Sequence, residues 1–100
     1  ARSTKIDTIF YKGTKMPIIS RFFGIAIFMF WREHRPPHFH AKYGDDEIVV
    51  EITSGKVNGA MSKRALSLIQ DWRRLYKKEL LQDWELAEKK KALFTIKPLE

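Results

Sequence analysis

One hundred residues with 44% hydrophobic and 13% aromatic side chains suffice for one small domain with a real core. The absence of cysteine excludes disulfides and thiolate metal sites, leaving a reducing cytoplasm as the simplest expected compartment. The most apolar run, residues 22–31, is about half of what a membrane-spanning helix needs, and no signal-peptide pattern opens the chain. No membrane contact is expected. The net charge of +7 favours polyanions and acidic partners without choosing between them.

Residues 1–15 carry Arg2, Lys5, Lys12 and Lys15 against Asp7, a net of +3 that leaves +4 for the rest. Residues 6–11 read as a short strand and Lys12-Gly13-Thr14-Lys15 as a turn. Met16 sits where a start codon could, so residues 1–15 are expected to be a peripheral extension and 16–100 a single domain. Residues 17–20 form a short extended piece. The run 22–31 is rich in β-branched and aromatic residues, which predicts a strand buried on both faces. Gly24 within it predicts a bulge or a close backbone approach.

The next stretch, Trp31-Arg-Glu-His34-Arg-Pro-Pro-His38-Phe-His40-Ala-Lys42-Tyr43, is where candidate chemistry concentrates. The prolines disfavour helix before His38. Beyond them Phe39, Ala41 and Tyr43 alternate with His38, His40 and Lys42, a strand whose same-face side chains stand about 7 Å apart. Tyr43-Gly44-Asp45-Asp46 reads as a hairpin turn, and residues 47–52 alternate again. With Gly44-Asp45 as the loop, Lys42 faces Glu47, His40 faces Val49 and His38 faces Glu51. Phe39 then meets Val50 and Ala41 meets Ile48. A slip of one residue would invert every face. Ser54-Gly55 is the next turn, placing Val57 opposite Ile52, and Gly59 closes that strand. If residues 32–37 connect neighbouring antiparallel strands, Trp31, Met29 and Ile27 lie beside the histidines. Phe28 and Phe30 then enter the core with Phe39, Val50 and Trp72. Such an apolar histidine face suits a groove or subunit interface, so a homodimer is an expectation.

Ser62 is a suitable N-cap. Ala65, Leu68, Ile69, Trp72, Leu75 and Tyr76 recur on one helical face, with Lys63, Arg74 and Lys77 opposite. Leu80, Trp84 and Ala87 extend the stripe. Leu81 falls about 160° from Ala65 at 100° per residue, so either the helix breaks near Asp83 or Leu81 meets a partner. Lys89-Lys90-Lys91 suits a helix C-terminus. Residues 94–96 read as a closing strand before Pro98, and Leu99-Glu100 as a tag remnant. The sum is an α+β domain: an antiparallel sheet of about four strands with one long or two consecutive helices packed on one face.

Two chemistries compete for the histidines. His34, His38 and His40 could hold zinc or another divalent ion, with Glu51 as an alternative third ligand. Alternatively, metal-free acid–base chemistry would use His38, His40, Glu51 and Lys42 as catalytic groups, as in a small ribonuclease. Against both stands a plain cross-strand ion pair worth a few tenths of a kcal/mol. Arg32, Arg35, Lys63, Arg74 and Lys77 are the candidate nucleic-acid contacts. The helix face among them lacks interleaved aromatics, which disfavours base stacking there.

Met16-Pro-Ile-Ile-Ser-Arg-Phe-Phe-Gly24, Pro36-Pro-His-Phe-His40, Tyr43-Gly44, Arg64-Ala-Leu and Trp84-Glu-Leu-Ala87 resemble the small prokaryotic family known as domain of unknown function 4160. The resemblance runs from about residue 16 to 99. It implies no agreed activity and no catalytic role for Pro36, Pro37, His38, Phe39 or His40. It does imply a gene arrangement similar to toxin–antitoxin modules, hence a small protein partner from a neighbouring gene and a role directed at RNA or DNA. The competing expectation is a metal-dependent or histidine-based, nuclease-like hydrolase on the His38/His40 face.

Overall fold

The structure, a computed structural model, describes residues 8–11, 14–31 and 33–100. Among them, six strands follow one another as an antiparallel meander, each paired with its sequence neighbour. They are β1 (Thr8–Tyr11), β2 (Thr14–Phe22), β3 (Ile25–Phe28), β4 (His38–Tyr43), β5 (Asp46–Glu51) and β6 (Val57–Gly59). Two helices, α1 (Lys63–Leu75) and α2 (Lys77–Glu88), follow and pack on the sheet. This is the α+β architecture expected, with more strands than the four anticipated.

The additional strands have local causes. The run 22–31 is not one strand but divides at Phe23 and Gly24, whose φ angles are 49° and 80°. Two successive positive φ values make the tight turn that matches strand twist, and β2 and β3 stay paired through Phe22 and Ile25. The bulge expected at Gly24 lies instead between Ile18 and Ser20. β1 adds an edge strand by pairing Thr8–Tyr11 with Pro17–Thr14. The Lys12-Gly13 part of the expected turn lies outside the described residues.

The β4–β5 register is the one expected, from His38↔Glu51 to Lys42↔Glu47. β6 departs from it: Val57 pairs with Val50, not Ile52. The turn is wider than Ser54-Gly55 because Gly55 N–H donates to Glu51 O at 3.0 Å and Glu51 N–H to Lys56 O at 2.9 Å. A second departure matters more. Phe28 pairs with His40 and Ile27 with Ala41, one residue out of the expected alignment. Phe28 and Phe30 therefore share the histidine face, while Ile27 and Met29 join the main core. Pairing ends at Phe28, so the connection is longer than residues 32–37, and a slip of one exchanges the faces.

The main core lies between the sheet and the helices. Phe39, Ala41, Ile48 and Val50 meet Ala65, Ile69, Trp72, Leu80, Trp84 and Ala87 there. Trp72 is its centre, with ring centroids 5.4 Å from Phe22 and 5.7 Å from Phe39. Its indole N–H donates to Lys97 O at 2.8 Å. Ser62 caps α1, its hydroxyl accepting from Ala65 N–H at 3.2 Å. The helical segment breaks at Tyr76, not near Asp83. Asp83 is buried inside α2, where its carboxylate accepts Phe94 N–H at 2.9 Å. Leu75, expected in the core stripe, stands 64% exposed. Residues 94–96 form no strand, although Ile96 N–H donates to Ile19 O at 2.7 Å. No helix among the described residues is long and apolar enough to cross a membrane.

Candidate metal centre

Alternation along β4 sends Phe39 and Ala41 into the main core and His38 and His40 to the other face. The loop between β3 and β4 then folds back over them. Two contacts tie this loop to α2 and the segment after it, and a third ties the start of β4. Trp31 Nε1–H donates to Lys91 O at 3.2 Å, Arg35 pairs with Glu88 at 3.2 Å, and the His38 ring lies 5.0 Å from Trp84. The anchored loop delivers Glu33. Its Oε1 lies 2.5 Å from His40 Nε2, and its Oε2 lies 3.2 Å from His38 Nε2.

Glu33, His38 and His40 each offer one ligand atom, and these atoms all lie within 4.8 Å of one another. Two ligands held at about 2.0–2.2 Å from one divalent ion stand about 3–4 Å apart, so the close Glu33–His40 pair would open and the widest pair draw in slightly. The second nitrogens strengthen the fit. His38 Nδ1 lies 2.8 Å from Pro36 O, and a carbonyl only accepts, so the proton sits on Nδ1. His40 Nδ1 lies 3.5 Å from Glu47 Oε2 and makes no hydrogen bond there. A metal-bound histidine makes the His38 kind of contact through its outer nitrogen. Both imidazoles therefore turn Nε2 toward the one Glu33 carboxylate, the His40 contact at hydrogen-bond distance, where a divalent ion would take the place of the shared proton.

The walls are aromatic. His40 stacks on Phe28 at 5.4 Å and meets Phe30 edge-on at 4.5 Å. The side chains of His38 and His40 are 12% and 9% exposed, against 24% for Glu33. Water therefore reaches the cluster chiefly along Glu33, and the low surrounding polarity strengthens any charge interaction within.

The structure thus brings together His38 and His40 but not the other expected participants. His34 is exposed and outside the cluster. Glu51 faces His38 in register, yet its carboxylate takes the Ser54 hydroxyl at 2.9 Å. Lys42 is exposed opposite Glu47, whose carboxylate turns toward His40. Arg35 is engaged by Glu88, and Arg32 lies outside the described residues. Lys63 and Arg74 stand at opposite ends of α1, about 16 Å apart along its axis, and Lys77 begins α2. Sequence reasoning missed Glu33 and Glu47 as site residues. Glu47 was within reach of it, since the expected register makes it the diagonal neighbour of His40. Glu33 carried no such signal, because a loop residue has no period.

A family model described as Domain of unknown function (DUF4160) matches residues 24–85, more than half of the chain. The matched span includes Glu33, His38, His40 and Glu47. No curated protein and no solved structure matches.

Proposed function

Because the chain belongs to the DUF4160 family, whose description names no activity, we propose its function from the site: a divalent-metal domain of hydrolytic, nuclease-like type. Glu33, His38 and His40 would supply three protein ligands and leave the remaining positions to water and substrate, as catalytic rather than structural zinc sites do. Bound zinc would supply an activated water and polarise a phosphoryl or carbonyl oxygen. The protein's own groups orient and shield: Pro36 O and Glu47 hold the imidazoles, and Phe28, Phe30 and Trp84 limit solvent. The observation that carries this reading is the convergence of both Nε2 atoms on one carboxylate while Pro36 O orients the His38 ring from its other nitrogen. The basic excess supports a polyanionic substrate.

Metal analysis of untagged protein after zinc loading and dialysis tests it. About one ion per chain is expected, retained by His34→Ala and Glu51→Gln and lost in Glu33→Gln and His40→Ala. Equal metal content in all five proteins would sink the proposal.

A second reading is a component of a toxin–antitoxin-like two-gene module, binding a small protein partner and acting on RNA. The exposed Leu75 on a basic helix junction supports a protein partner. Co-expression with the neighbouring gene should then yield a complex that survives gel filtration.

A further inference from the structure

α1 and α2 do not share one continuous apolar stripe. At the residue between them, Tyr76, the backbone takes φ −116° and ψ 24°, and the helical face turns. Leu80, Trp84 and Ala87 are carried into the core, and Leu75 is left outside it. A surface groove of about 570 Å³ results, lined by Arg74, Leu75, Lys77, Lys78, Leu81 and Glu85 among others. Leu75, 64% exposed, ends α1, and the half-buried Leu81 lies in α2 beyond the break. Three cations surround them, Arg74 already paired with Asp71 at 3.0 Å, together with the Glu85 carboxylate.

We propose that this groove docks an acidic amphipathic helix of a protein partner, which rests on the second reading above. The two leucines on one groove offer apolar anchorage to a helix laid in it. The cationic rim matches acidic residues flanking such anchors, and it would steer their approach. Other occupants fit less well. A second copy of this chain, at net charge +7, would bring one basic surface against another. Nucleic acid would find the cations but no aromatic side chain among the lining residues, and it would meet Glu85.

The probe is a fluorescein-labelled 18-residue peptide with leucines at helical spacing and glutamates elsewhere. It is compared with a scrambled peptide, a version with lysine in place of glutamate, and a single-stranded 20-mer RNA. Anisotropy should show that the acidic amphipathic peptide binds best and weakens with added salt. Leu75→Glu and the double variant Lys77→Glu/Lys78→Glu should each weaken it at least tenfold. Both variants change outward-facing positions, and circular dichroism verifies that they fold. Amide shifts caused by the peptide should cluster at residues 74–85. Equal binding of the scrambled peptide, wild-type affinity in either variant, or tighter binding of the RNA with shifts at the same amides would overturn the proposal. The two readings separate cleanly. A co-expressed complex that survives Leu75→Glu overturns the groove and keeps the partner. Peptide binding without any co-expressed complex keeps the groove and removes the module.

Discussion

Glu33 is the residue on which the centre depends, and its neighbours act by holding the two imidazoles it joins. Glu33→Gln preserves size and removes the charge, so zinc affinity should collapse while the melting temperature moves little. Glu47 acts one contact further out, on His40 Nδ1. Glu47→Gln should weaken zinc or cobalt binding about 10–100-fold in a titration without abolishing it. An unchanged affinity would show that His40 needs no outer partner. Phe39 provides the contrast on the opposite face of the same strand. It is fully buried against Trp72, and Phe39→Ala should cost about 3–5 kcal/mol in urea denaturation. His40 also has packing to lose, being stacked on Phe28, so its effect on metal must be read beside a stability measurement.

At the scale of elements, α1 is capped at its start and tied to the β5–β6 turn along its side. The Ser62 cap is an isolated contribution, and Ser62→Ala should destabilise the fold by about 1 kcal/mol. Along the side, Arg73 is buried and reaches the β5–β6 turn. It donates to Ile52 O at 2.9 Å and to Gln70 Oε1 at 2.7 Å, and Gln70 Nε2–H donates to Gly55 O at 2.8 Å. Burial, with Arg74 alongside, holds the Arg73 pKa below the ordinary guanidinium value. The β5–β6 pair has its own constraint at Gly59, where φ is 109° and an added Cβ would stand 2.8 Å from Glu47 O. Gly59→Ala should therefore cost about 1–3 kcal/mol. Because the clash falls on the residue that faces His40, zinc affinity should drop as well. Loss of stability with zinc affinity intact would separate the β5 edge from the metal centre.

For the whole molecule, a metal bound only by the folded chain must stabilise it. Zinc at 100 times its dissociation constant should add about 2.7 kcal/mol, visible as a raised melting temperature that a chelator reverses. Glu33 lies in a loop and His38 and His40 on β4, so the ligand set comes into being only with the fold. The same shift measured on Glu33→Gln should vanish. If it persists, zinc is binding elsewhere.

Alternation by itself determined the β4–β5 hairpin, its register and the placement of both histidines away from Phe39. A side-chain period of two leaves only one alignment with apolar residues facing each other. The cap at Ser62 and the burial of Ala65, Ile69 and Trp72 were equally legible, because each follows from local chemistry or helical spacing. The division of residues 22–31 at Phe23 was not, since a bulky aromatic at positive φ runs against its local preference. Nor was the break at Tyr76, which no proline or glycine marks. Above all, only the tertiary structure brought a carboxylate to the two histidines. His34 and Glu51 are the third ligands the sequence suggests, and neither joins the cluster, whereas Glu33, which carries no periodic signal, does. Glu33 reaches the two imidazoles because its loop is held down by Lys91 and Glu88, residues more than fifty positions away along the chain from those they hold.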